Sequence, residues 1–203
     1  LDMYINYPII VKEITAPCIC HEGDGFYIRA FPLEHTKTCV GYTLEELPRP
    51  GEFHPEKARE LKVPCGPLWA KLQAGCEVEA EDGSIVKPEQ VLGPQRKGRK
   101  ISYVTDTLYL DSIAKEVANS DLLFCEGMFT KEFEDQAKEK KHMTSSQAAQ
   151  IAKDANVKKM ALIHYSPRYN DYDLKPLLTE AQSIFPETIL SKDRMTFEIP
   201  NED

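Results

Sequence analysis

Two short apolar runs, each ending on a residue that can ligate a metal, constrain this chain more than any other feature. Ile101-Ser102-Tyr103-Val104-Thr105 is followed at once by Asp106, and Lys159-Met160-Ala161-Leu162-Ile163 is followed at once by His164. Layered α/β proteins place their catalytic groups where buried strands run out into loops, because the strand fixes the backbone and the loop gives access. A carboxylate and an imidazole so placed suit zinc, which takes N and O donors at about 2.0–2.2 Å. No HxH, HxxxH or HxxEH pair occurs anywhere in the sequence. The chain therefore holds donors for only part of a metal site.

The surrounding pattern is α/β from Ile101 onward. After the first apolar run a helix is expected at about 111–118, with Asp111 as its N-cap. A short buried strand, Leu122-Leu123-Phe124, ends at Cys125-Glu126. A charged helix over roughly 131–140 follows, then a helix over 146–155 capped by Thr144 or Ser145. Its residues Ala148, Ala149, Ile151 and Ala152 make one apolar face. After His164 the pattern predicts a helix at 174–184 and a closing strand at 195–199. Repeated strand–helix units imply a sheet covered by helices. The first part of the chain reads instead as β, with strands expected over 4–11, 26–31 and 39–44.

Residues 48–98 differ in character. Half of the chain's 14 prolines and most of its 10 glycines lie there. Short helices are expected near 55–62 and 68–74, the first with Pro55 near N1 and the second stopped by Gly75. A hairpin is expected over 78–86 across Asp82-Gly83. The segment reads as an excursion from the main fold, mobile and with few buried contacts.

Composition narrows the function classes. The 203 residues suffice for one domain with a substantial core. A net charge of −8 argues against a uniformly basic nucleic-acid binder. It leaves room for a local patch such as Gln95-Arg96-Lys97-Gly98-Arg99-Lys100, which also reads simply as a solvated loop. Six cysteines without a CxxC knuckle read as reduced, mostly buried thiols of a cytoplasmic protein. No apolar run approaches the ~20 residues that span a bilayer, and no signal peptide is expected. The first residue is Leu1 rather than Met, which predicts that the chain begins inside a longer protein.

Of the five histidines, His21 and His54 read as surface residues. His35 ends the run Ala30-Phe31-Pro32-Leu33 and by itself reads as a core or edge histidine. Together with Asp106 and His164, each just past a strand, it can reach one sheet edge, and three converging N/O donors are what a hydrolytic metal site requires. His142 lies just before a helix. The positive potential of a helix N-terminus disfavours its charged form, which suits a proton-transfer group.

In this order the motifs resemble the ribonuclease Z family. They run from Pro32-Leu33-Glu34-His35 and Gly41-Tyr42 through Val63-Pro64-Cys65-Gly66-Pro67-Leu68-Trp69 to Thr105-Asp106-Thr107. They continue as His142-Met143-Thr144-Ser145-Ser146-Gln147-Ala148-Ala149 and His164-Tyr165-Ser166-Pro167-Arg168-Tyr169. The resemblance implies the C-terminal portion of a metallo-β-lactamase-like αβ/βα sandwich, one partial domain over 1–203 with a protruding arm inserted at 48–98. It implies a zinc-dependent endoribonuclease that removes the 3′ trailer of precursor tRNA, with two zincs per complete subunit and fewer or none in this chain alone. His35, Asp106 and His164 would be metal ligands, with Asp106 bridging. His142 would protonate the leaving oxygen and Glu126 would orient it. Gly66, Pro67 and Lys71 of the arm, with Ser166 and Arg168, would contact substrate. A cytoplasmic homodimer with no membrane contact is implied too.

Three positions depart from the family pattern. The HxHxDH motif is absent from the chain. Thr105 stands where the family has Gly, and Cys125 where it has His, which predicts a divergent site. Two other readings stay open: a metal-free tRNA-binding or dimerisation fragment, and another metallo-β-lactamase-fold hydrolase acting on a small ester or phosphodiester.

Overall fold

The computed structural model describes residues 7–170 and 174–201. In chain order the strands and helices are β1 (Cys18–Gly23), β2 (Phe26–Leu33), β3 (Cys39–Glu46), α1 (Pro55–Glu60), α2 (Pro67–Gln73), β4 (Val78–Glu79) and β5 (Ile85–Val86). Then come β6 (Lys100–Val104), α3 (Ser112–Glu116), β7 (Leu122–Glu126), α4 (Glu134–Glu139), α5 (Ser145–Asp154), β8 (Met160–Ile163), α6 (Lys175–Ile184) and β9 (Thr188–Leu190). The chain divides into two compact units, one of residues 1–45 and 100–199, the other containing 46–99.

The first unit is built on a seven-stranded sheet in the order β1-β2-β3-β6-β7-β8-β9. β1 and β2 pair antiparallel, as do β3 and β6. From β6 to β9 the pairing is parallel, with helical crossovers between the strands. Parallel pairing is what places the site. Val104 pairs with Cys125 and Glu126 with Ile163, so the C-terminal ends of β6, β7 and β8 lie side by side.

The core lies between this sheet and its helices. It includes Phe31, Val104, Leu123, Cys125, Ile151, Met160 and Leu162. The apolar stripe expected on α5 is buried as read, with Ala148, Ala149, Ile151 and Ala152 almost fully covered. Thr144 caps α5 in a reciprocal box: its hydroxyl accepts from Gln147 N and its own N–H donates to the Gln147 side chain. Phe31 needs the glycine opposite it on β3, because a Cβ on Gly41 would lie 2.4 Å from the Phe31 ring. Removing that ring should be costly. Phe31→Ala is expected to destabilise the chain by about 3–5 kcal/mol, read as a lowered urea midpoint at unchanged slope.

The second unit has a small core of its own, of Ala58, Val63, Leu72, Val78, Ala80, Val86 and Val91. Phe53 and Trp69 pack on it with ring centroids 5.2 Å apart. The expectation of few buried contacts is thus corrected. Pro55 and Pro67 open helices, where a missing N–H costs nothing, and do not interrupt packing. Gly51 is required by close approach, since a Cβ there would lie 2.1 Å from the Gly93 carbonyl oxygen.

Other expectations also shift. Residues 7–11 form no strand, and 4–6 lie outside the described residues. No strand forms at 195–199, while the edge strands β1 and β9 went unread. Asp111 stands before α3 as expected but makes no side-chain capping bond. The six cysteines are free, yet only Cys125 is buried; Cys18, Cys65 and Cys76 are exposed. Two cations of the basic run are paired, Arg99 with Glu46 and Lys100 with Glu45.

Candidate metal centre

The strand ends bring their side chains together. Asp106 follows β6, Glu126 ends β7 and His164 follows β8, while His35 follows β2. The His164 Nε2 lies 3.3 Å from Asp106 Oδ2. Ligand atoms of His35, Asp106 and His142 lie within 4.8 Å of one another. The His142 ring centroid is 4.7 Å from that of His35 and 5.2 Å from that of His164. Three imidazoles therefore surround one carboxylate. The tight group contains His142, which had been read only as a proton-transfer residue.

Each histidine is aimed by a neighbour. His35 Nδ1 lies 2.9 Å from the Lys141 carbonyl oxygen. A carbonyl only accepts, so Nδ1 carries the proton and Nε2 keeps its lone pair for a cation. His142 Nδ1 faces Glu126 Oε1 at 3.1 Å. Glu126 is fully buried and also accepts from the Thr107 N–H at 2.6 Å and the Met143 N–H at 3.2 Å. A carbonyl or carboxylate that fixes the other nitrogen of an imidazole in this way is the usual outer support of a metal-ligating histidine. The donor set of imidazoles and a carboxylate fits zinc.

Local backbone explains how His142 and His164 arrive. α4 ends with Lys141 at φ +55, and the His142 N–H returns to the Ala137 carbonyl while the Lys141 N–H returns to that of Lys138. This Schellman-type ending turns the chain sharply and presents His142 inward. His164 itself sits at φ +58, an uncommon conformation for a non-glycine residue and one concentrated at functional sites.

The electrostatics differ from expectation at His142. Burial pulls its pKa down, but the hydrogen bond and charge of Glu126 more than offset this, and the net shift is upward. The helix N-terminus does not decide the matter. Cys125 is fully buried in the core, and burial followed by the Glu126 charge pushes its thiol well up, the opposite of the shift that marks a reactive thiolate. Thr105 donates to Asp106 Oδ1 at 2.9 Å, a bond that glycine could not make.

The residues read as substrate contacts fall in both units. Ser166 is buried. The Arg168 guanidinium lies 4.4 Å over the Phe133 ring and 5.1 Å over Phe129. It lines a cleft of about 770 Å³ with Thr130, Tyr169 and Lys175. In the second unit Gly66 takes φ +134 just before Pro67 begins α2, and Lys71 is exposed in that helix's last turn.

The model of the Beta-lactamase superfamily domain matches residues 77–165. The chain is 64% identical over all of its 203 residues to a ribonuclease Z of Treponema denticola, and 61% identical over 195 residues to one of Treponema pallidum. The chain belongs to the ribonuclease Z family. It spans 66% and 63% of the length of those two ribonuclease Z proteins. Among solved structures, it resembles the short form of human tRNase Z with a TM-score of 0.54 at 22% identity, covering 91% of this chain and 47% of that one. The metallo-beta-lactamase fold protein YhfI of Bacillus subtilis gives 0.57 at 20% identity, covering 93% and 55%. These likenesses establish the metallo-β-lactamase fold. No helix among the described residues is long and apolar enough to cross a membrane.

Sequence reading missed two members of this cluster, Lys141 and Thr107. Lys141 acts through its carbonyl, which carries no side-chain signal. Thr107 could have been suspected from its place directly after Asp106.

Proposed function

We propose that this chain carries part of the active site of a zinc-dependent endoribonuclease that removes the 3′ trailer of precursor tRNA. The observation that carries the reading is the convergence of His35, His142 and His164 on Asp106, in a chain 64% identical to a ribonuclease Z. His35, Asp106 and His164 would hold the metal, with Asp106 placed between the two histidines. Zinc, when bound, supplies Lewis-acid stabilisation of charge on the phosphate. His142, held by Glu126, is set to deliver a proton to the leaving oxygen. Three donors do not complete two tetrahedral shells, so two zincs per subunit need ligands beyond these. The chain alone is expected to hold zinc weakly or not at all. A cytoplasmic homodimer remains part of the same reading.

Residues 48–98 are proposed as the arm that contacts tRNA through Gly66, Pro67 and Lys71, and Ser166 and Arg168 as further substrate contacts. Glu45 pairs with Lys100, so the segment leaves and re-enters the sheet at neighbouring positions and can be excised with a short link. Excision within a protein of its relatives' length should lower kcat/KM for precursor tRNA by about 10–100-fold, the scale of one or two lost charged contacts. Hydrolysis of bis-p-nitrophenyl phosphate should be spared. Equal loss on both substrates would instead favour a structural segment.

A further inference from the structure

Thr107 makes bonds that no metal ligand in the cluster makes. Its backbone N–H donates to Glu126 Oε1 at 2.6 Å. Its hydroxyl accepts from the Glu34 N–H at 3.1 Å and donates to the Leu108 carbonyl at 2.9 Å. The Leu108 N–H in turn donates to the Glu34 carbonyl at 2.7 Å. The residue is fully buried. His35 follows Glu34 and Asp106 precedes Thr107, so this one side chain locks together the loops that carry both. Through Glu126, which holds His142 Nδ1, the Thr107 amide reaches the third loop as well.

We propose that Thr107 is a positioning residue: its hydroxyl fixes the spacing of His35 against Asp106. Valine has a similar shape but can neither accept from Glu34 nor donate to Leu108. It keeps the amide bond to Glu126, so Thr107→Val isolates the hydroxyl. Without it the His35 loop keeps only the bond from the Leu108 N–H to the Glu34 carbonyl as its tie to the Asp106 loop, and with that looser hinge the Lys141 carbonyl no longer meets His35 Nδ1 in a single geometry.

The experiment uses the 203-residue chain and two readouts. In the metal-free chain, imidazole ¹⁵N shifts should show His35 with its proton on Nδ1; T107V should lose that single-tautomer signature. Zinc affinity, by competition with a chelating dye, should fall by about 10–100-fold in T107V. Thr107→Ser should restore both. Thr43→Val is the control, since Thr43 is equally buried and shares a hydroxyl–hydroxyl bond of 3.0 Å with Ser102. It should lose comparable stability and change neither readout. The proposal is overturned if T107V matches T43V in both readouts, or if T107S loses them although the hydroxyl is present. Should T107V not fold, amide exchange in the unaltered chain decides: rapid exchange at Glu34 beside slow exchange at Leu108 would refute the bond. The zinc arm alone rests on the proposed metal site. If the unaltered chain binds no zinc, which three donors alone allow, the zinc readout falls away and the His35 tautomer still judges Thr107.

Discussion

Replacing His142 with alanine is expected to lower kcat on precursor tRNA by roughly 10²–10⁴-fold, the contribution of a positioned general acid. The measurement is made on the chain within a protein of its relatives' full length. The side chain is held in one orientation by the fully buried Glu126, and that support is lost along with the ring. Zinc content should not change, because His35, Asp106 and His164 remain. The defect should shrink for bis-p-nitrophenyl phosphate, whose leaving group needs little protonation. His142 also lies in the tight donor group, so the competing role is sharply defined. Loss of zinc in H142A, or an equal defect on good and poor leaving groups, would make it a ligand or a structural residue.

Asp106→Ala should behave differently. The carboxylate lies between the imidazoles, 3.3 Å from His164 and within the donor group of His35 and His142. Its removal leaves the histidines with no negative charge to offset a dication. Metal content and activity should fall together, activity by at least the roughly 10²–10³-fold that loss of one charge-stabilising group costs. The loss should be the same whatever the leaving group. Elemental analysis beside rates on both substrates checks this. Retained zinc with activity lost only on precursor tRNA would remove Asp106 from the metal site.

What could be read from the chain was local. The strands that end at Asp106, Glu126 and His164, the box at Thr144, the prolines that open α1 and α2 and the stop at Gly75 each rest on neighbours a few residues away. β1 escaped notice because edge strands need not alternate: most of its residues are exposed. The reading of 4–11 as a strand failed over 7–11 for the complementary reason, since β-branched composition cannot supply a pairing partner.

The sequence by itself determined which residue types stand at the strand ends, and so the chemistry available: imidazole and carboxylate, suited to zinc. It also determined α5, whose cap and apolar stripe are written within one or two turns, and the prolines that open α1 and α2. Only the tertiary structure decided how those donors are aimed. His35 and Lys141 are 106 residues apart, and no pattern along the chain connects an imidazole to that carbonyl. Glu126 and His142 are 16 apart, and their contact reverses the pKa direction that the nearby helix end suggested. The hold of Thr107 on Glu34 spans 73 residues. Orientation is set by bonds between loops that meet only when parallel strands align their ends, and strand order is a property of the folded sheet.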